Sequence, residues 1–244
     1  MKNLMVLNNV DHKDLKINPA RSQELGDGYM CVPTFPGEFR AVQAHYPIVF
    51  HKNDSNQEYT PLVLFGLQED ENLFLKDGDW DARYIPACAE ARPFFIGQGQ
   101  EQNGKNGQNE DGQQWLIHVD IDSPKLNRET GIDLFMEFGG NSPFLERIKD
   151  VLGTIHEGVA EVKPFTDLLV KYELLEPFSV ETTLVNEQKY RLDGFHTINE
   201  QRLANLAVED LSALHQSGYL FDIYMQLSSL SNLSELFERK NSNL

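Results

Sequence analysis

Apolar positions along this chain change period several times, and the sharpest change falls in Glu38–Lys52, EFRAVQAHYPIVFHK. Phe39, Val42 and Tyr46 recur at i, i+3 and i+7, which predicts a short helix with one buried face. Pro47 ends it, because the residue before a proline is driven out of the α region and proline has no N–H to give to the helical ladder. Ile48-Val49-Phe50 then reads as a buried strand, since β-branched and aromatic side chains suit a covered, pleated surface. Within fifteen residues the chain is expected to turn from helix to strand.

The rest of the first half reads as short extended pieces between turns. Leu15–Ile17 predicts an edge strand and Tyr29–Val32 another. After the turn cluster Asn53–Asn56, the nearly continuous apolar run Pro61–Leu67 predicts a strand covered on both faces. Asn72–Leu75 and Trp80–Ile85 flank Asp77-Gly78, a hairpin signal. Phe94–Ile96 and Trp115–Asp122 add two more strands. Between these last two, Gly97–Gln114 (GQGQEQNGKNGQNEDGQQ) has no apolar side chain to bury and is expected to be a flexible surface loop.

Beyond Asn141 the period becomes helical. Ser142-Pro143 pairs a cap residue with proline at the first helical position, and Leu145, Ile148 and Leu152 supply the stripe. Thr154 and Glu157 have capping-box spacing for a second helix, in which Phe165, Leu168, Leu169 and Tyr172 follow Pro164. Phe178–Val185 and Lys189–Leu192 predict a hairpin about Asn186-Glu187 that returns strands to the sheet. Thr197 and Glu200 repeat the capping-box spacing before Leu203, Leu206, Leu211 and Leu214, and Gly218 is a natural stop. A last helix carries Leu220, Ile223, Tyr224, Leu227, Leu230 and Phe237, with Arg239-Lys240 complementing its dipole. The expected fold is α+β in a single domain spanning residues 1–244: a largely antiparallel sheet from the first half plus the Phe178–Leu192 hairpin, packed against helices from the C-terminal half.

Charge narrows the range of partners. The 244 residues carry 21 Lys+Arg against 38 Asp+Glu, a net charge of -17, and a surface of that sign repels nucleic-acid phosphates and anionic membranes. The apolar run Leu4–Leu7 is too short for a signal-peptide core, and no segment has the length to span a bilayer. Cys31 and Cys88 lack the spacing of a disulfide framework or a cysteine-based zinc site. The expected location is the cytoplasm, with both thiols reduced.

Three constellations carry candidate chemistry. Glu38, Arg40 and His45 place an acid, a cation and a titratable base along the predicted corner helix. Trp80, Arg83, Tyr84 and Arg92 form an aromatic and basic cluster suited to a carboxylate, a sugar ring or a partner's side chain. His118-x-Asp120-x-Asp122 alternates along a strand, which points all three side chains to one face. With His156, His196 or His215 as a further ligand, it would supply a two-histidine-one-carboxylate iron site, although the outer face of any half-exposed strand shows the same alternation. Serine nucleophile elbows, phosphate loops and zinc-protease signatures are missing, and Gly139-Gly140-Asn141 lacks the lysine of a phosphate loop. No cofactor is expected.

Several ordered motifs resemble one family. They are Glu38-Phe39 with Tyr46-Pro47-Ile48-Val49-Phe50, Gly66-Leu67 with Glu71-Asn72-Leu73-Phe74, and Trp80 with Tyr84-Ile85-Pro86-Ala87. Arg92-Pro93-Phe94, Gly131 with Leu134-Phe135, Leu192-Asp193-Gly194-Phe195 with Glu200, and Leu227-Ser228-Ser229-Leu230 extend the set over nearly the full length. In their order and spacing the chain resembles the bacterial SapC family, named for an association with surface-layer proteins. The resemblance implies no particular reaction or cofactor, and so no catalytic residues; Glu90-Ala91 stand where the family tends to place arginines. The expected function is that of a non-catalytic binding or accessory protein recognising a polypeptide or glycan-related partner, cytoplasmic rather than a layer subunit. Its alternative is a metal-dependent enzyme of the non-haem iron type using His118, Asp120 and Asp122. Glu38 is the polar residue of the corner to test.

Overall fold

The computed structural model describes residues 3–98 and 115–243, so most of the predicted Gly97–Gln114 loop lies outside the described residues. Helix takes about 37% and strand about 26%, and the strands pair antiparallel; the fold is α+β, as the periodicities predict. The chain gathers into two compact units, one from Met1–Asp27, Lys76–Asp79 and Ala87–His156, the other from Gly28–Leu75, Trp80–Pro86 and Glu157–Leu244.

In the first unit, Trp115–Asp120 runs between Leu4–Val6 and Phe94–Gln98. Ile117 and Val119 are buried at alternate positions of that central strand, the period-two burial its sequence announces. A second small sheet sets Lys16–Ile17 between Leu126–Asn127 and Ile132–Asp133. The stretch expected as an edge strand is therefore central. Its neighbours are two residues long, too short for any alternation to announce them. Asp27, fully buried, accepts bonds from Lys125 Nζ at 2.7 Å and Arg21 Nη1 at 3.1 Å, a charge kept inside only because it is paired.

The helical stretch after Asn141 is one element, Pro143–Lys171, where the sequence predicts two. Its start is as expected: Ser142 Oγ accepts the Leu145 N–H at 3.3 Å. Thr154 opens no second helix, because its hydroxyl donates back to the Asp150 carbonyl at 3.1 Å, the bond a threonine makes inside a helix. Pro164 is accommodated within the same run.

The second unit is built on a five-stranded antiparallel sheet in the order Leu175–Thr183, Lys189–Ile198, Ile48–Lys52, Tyr59–Leu64, Cys31–Pro33. The predicted hairpin thus does return to first-half strands, through Phe195 opposite His51 and His196 opposite Phe50. Phe39, Val42, Tyr46, Ile48, Val49 and Phe50 are completely buried, so the corner read from the sequence is core. Phe39 and Phe50 pack on Phe165, which meets Tyr219 at 5.2 Å between ring centroids. Helices Glu200–Ala204, Val208–Gln216, Tyr219–Ser229 and Leu233–Ser242 complete the unit. Asn199, not Thr197, caps the first of them, its side chain accepting the Arg202 N–H at 2.7 Å; Thr197 is still in the strand. Among the described residues no helix is long and apolar enough to cross a membrane.

Two outcomes test this packing. Gly158 lies under Phe35, where an added Cβ would stand 2.1 Å from the ring. In an open helix Gly→Ala gains about 1 kcal/mol; here Gly158→Ala is expected to cost about 1–3 kcal/mol through overpacking, seen as a lower urea midpoint at constant m value. A midpoint at or above that of the parent contradicts the contact. Asp222 is pushed from 3.8 up to about 6, first by burial and then by the neighbouring Glu161 charge. The folded state therefore holds the proton more tightly than the unfolded chain. Stability falls as pH rises from 3.8 to about 6, and the full cost persists above that. Asp222→Asn should be more stable than the parent by about 1 kcal/mol at neutral pH, with the two melting curves converging in acid; parallel curves at every pH would refute the assignment.

Candidate functional site

The helix-to-strand corner of the second unit concentrates more buried polar atoms than its apolar sequence suggests. Pro47 has no N–H, and around it the backbone leaves the helix before the strand ladder begins. The missing partners come from the helix Tyr219–Ser229 and the turn Leu230–Asn232 that follows it. Ser229 Oγ accepts the Ile48 N–H at 2.9 Å, and Gln226 Nε2 donates to the Ile48 carbonyl at 2.7 Å and to Thr197 Oγ1 at 3.1 Å. Asn232 Nδ2 donates to the carbonyls of Gln43 at 2.7 Å and Tyr46 at 3.2 Å. Gln226 and Ser229 are fully buried, and the spacing of three from 226 through 229 to 232 puts the clamp along one face.

Tyr46 ties the corner to the Trp80–Pro86 segment. Trp80 Nε1 donates to the Tyr46 hydroxyl at 2.7 Å, and that hydroxyl donates to the Tyr84 carbonyl at 2.5 Å. Its ring lies against Phe74 and Phe65, with centroids 4.6 and 5.3 Å away, and Trp80 meets Phe65 edge-on at 5.0 Å. Burial pushes the Tyr46 phenol well above its ordinary range, so it stays protonated and serves as a donor. The Tyr84 hydroxyl donates to Glu38 Oε1 at 2.8 Å, and Thr34 Oγ1 donates to Glu38 Oε2 at 2.6 Å. Glu38 is 4% exposed. Its carboxylate is thus an internal acceptor held between two neutral hydroxyls.

The other expected residues separate. Arg40 and Arg83 are exposed, and His45 is half-buried with its ring edge-on to Tyr46 at 5.9 Å. Trp80, Arg83 and Tyr84 belong to the second unit and Arg92 to the first. Sequence reasoning missed Arg239, to which it gave only a dipole role. Its guanidinium stacks over Phe74 at 4.3 Å and pairs with Asp81 at 2.7 Å and Glu235 at 2.9 Å. The adjacent Lys240 pairs with Glu71, whose other oxygen accepts the Leu67 N–H at 2.9 Å. An Arg-Lys pair ending a helix gives no hint of such burial.

In the first unit His118 and Asp120 do alternate along the central strand. That strand ends at Asp120, so Asp122 sits in the following turn, exposed. Asp120 Oδ1 accepts the Asn3 N–H at 3.2 Å, and the His118 ring lies over Gly97, where a Cβ would be 2.5 Å away. Among the possible further ligands, His156 is in the first unit, and His196 and His215 are in the second. Among the described residues no group of three or more His, Cys, Asp or Glu side chains is placed to hold a metal ion.

Several of the family-like motifs meet at the corner. Tyr46–Phe50 forms it, Trp80 and Tyr84 anchor it, and the Leu227–Leu230 motif carries Ser229 onto it. A SapC family model matches residues 7–236, and this α+β chain belongs to the SapC family. No curated protein and no solved structure matches the chain.

The network has a measurable cost of removal. Tyr84→Phe deprives Glu38 Oε1 of its hydroxyl donor, and Gln226→Leu leaves the Ile48 carbonyl short of one; each is expected to cost about 1–3 kcal/mol. Arg40→Ala and Arg83→Ala should stay within about 0.5 kcal/mol of the parent. Urea midpoints check both, and an unchanged midpoint for Tyr84→Phe would mean that the hydroxyl–carboxylate bond is not formed.

Proposed function

We propose that this SapC-family chain is a non-catalytic binding or accessory protein whose partner is a polypeptide. The observation that carries the reading is the mixed polarity of the helix Tyr219–Ser229, which also buries Ile223. Its polar Gln226 and Ser229 face the core, while Phe221 and Tyr224 are 49% and 51% exposed. On the preceding helix Val208 and Leu211, also three apart, are 77% and 37% exposed. Apolar side chains grouped on an outer surface mark interaction sites in soluble proteins. Glu209, Asp210 and Asp222 border these positions in sequence, so a partner with apolar anchors and basic surroundings is complementary.

Two further observations support the reading. Glu38, first considered as the acid of the corner, is engaged in holding the fold by accepting two hydroxyls, and the neighbouring Tyr46 donates to a carbonyl. The aromatic rings a sugar would stack on are occupied as well, since Trp80 is 8% exposed and Tyr84 is bonded to Glu38; this favours a polypeptide over a glycan-related ligand. Exposed Arg40 and Arg83 remain available for polar contacts with acidic groups of the partner.

A photo-crosslinking side chain in place of Phe221 should capture a discrete polypeptide from native lysate. Tyr224→Asp and Leu211→Asp should abolish the capture with the melting temperature unchanged. Identical capture by the Asp variants, or a stoichiometric metabolite co-purifying in place of a polypeptide, would overturn the proposal.

A further inference from the structure

We infer that the groove between the Asn53–Glu58 turn and the end of the long helix is a binding site for a small zwitterion of the α-amino-acid class, independent of the polypeptide surface above. The groove lies wholly in the second unit, holds about 350 Å³, and is lined by Lys52, Gln57, Tyr59, Val170, Glu173 and Leu175. That volume is at the low end of small-molecule sites.

Its charges set the ligand chemistry. Lys52 stands directly opposite Tyr59 in the strand pairing, its ammonium 5.6 Å from the Tyr59 ring centroid, and it has no carboxylate partner among the described residues. Glu173 lines the same groove and pairs with Arg202 through Oε2 at 2.6 Å, not with Lys52. One cation and one anion thus line a single groove without meeting, an arrangement complementary to a carboxylate and an ammonium on one small molecule. Val170 and Leu175 supply apolar contact for its side chain, and the Tyr59 hydroxyl has no hydrogen-bond partner among the described residues. His196 stands edge-on to the Tyr59 ring at 5.1 Å, its Nδ1 buried and without a partner. Burial, with Lys52 and His51 nearby, holds His196 below its ordinary range, so it stays neutral and adds no second cation.

Backbone geometry points to the same place. The long helix ends with Leu174 N–H bonded to the Leu169 carbonyl at 2.8 Å and Glu173 N–H to the Val170 carbonyl at 3.0 Å. This is the Schellman pattern, whose left-handed position is usually glycine. Here it is Glu173, at φ 54°, and Gln57 across the groove is likewise left-handed at φ 60°. Among the described residues, two of the five non-glycine residues with positive φ line this one groove. Backbone strain held at two facing positions of one groove is the kind of feature that accompanies ligand sites.

The test is ligand-observed NMR with free L-amino acids at millimolar concentration, followed by the N-acetyl and methyl-ester derivatives of the tightest binder. The expected result is saturable binding that weakens about tenfold or more, or 1.4 kcal/mol, when either charge of the ligand is blocked. Lys52→Gln and Glu173→Gly should each cause a comparable loss. Glu173→Gly relieves the strained position, so its melting temperature should match or exceed that of the parent, which a purely structural glutamate would not allow. Absence of binding by any amino acid, undiminished binding of the blocked derivatives, or undiminished binding by both variants would overturn the assignment. None of these results depends on whether Phe221 captures a polypeptide.

Discussion

A proline at the mouth of a strand leaves the backbone around it short of partners, and the second unit is arranged about that shortage. The helix Phe39–Val42 takes the Tyr46 N–H and the sheet takes the Pro47 carbonyl, but the Tyr46 carbonyl and both backbone groups of Ile48 are bonded by side chains. An unpaired buried backbone group costs about 1–3 kcal/mol. Several together would consume much of the roughly 5–15 kcal/mol that holds an ordinary domain folded. Gln226, Ser229 and Asn232 meet this need from a distant helix, so packing of that helix and completion of the strand are one event. Tyr46 extends the coupling to Trp80 and Tyr84, and through Tyr84 to Glu38.

The same requirement explains why the helix Tyr219–Ser229 buries Gln226 and Ser229 beside Ile223. A helix that must present amide and hydroxyl groups to a buried backbone cannot give that whole face to leucines. Its large apolar residues Phe221 and Tyr224 then fall on the outer side. What would be a flaw in a free-standing helix becomes an accessible apolar surface supported by a stiff interior. Core demand and surface property are two sides of one rotation about the helix axis.

How far the sequence was legible follows from this physics. The corner itself was readable, because Phe39, Val42 and Tyr46 keep helical period up to Pro47 and all three are buried. The hairpin around Asn186-Glu187 was readable too, for the turn residue Glu187 is left-handed at φ 66° and the flanking strands extend further than their alternation shows. Capping-box spacing misled twice. Thr154 back-bonds within a continuous helix, and Asn199 displaces Thr197, since a three-residue match says nothing of where the backbone leaves helical geometry. The clamp was illegible for a deeper reason. Periodicity assigns the inner face to apolar residues, and that rule put Tyr224 inside and gave no place to Gln226 or Ser229, whereas the structure does the reverse. The charge pair of the groove was hidden because Lys52 and Glu173 are far apart in the chain and sit in a turn flank and a helix terminus, neither of which carries a motif.

Ile48 and Gln226 are separated by 178 residues. At ribosomal rates of about 5–20 residues per second, the partner for the Ile48 carbonyl is made roughly 10–35 s after Ile48 itself. Through most of that interval the Ile48-Val49-Phe50 run exists as an apolar, strand-forming segment whose neighbouring strand Lys189–Ile198 has not been synthesised. The clamp therefore fixes the order of assembly as well as the finished fold. The corner of the second unit closes only once Gln226 and Ser229 have been made, and the nascent chain carries Ile48 without those partners until then.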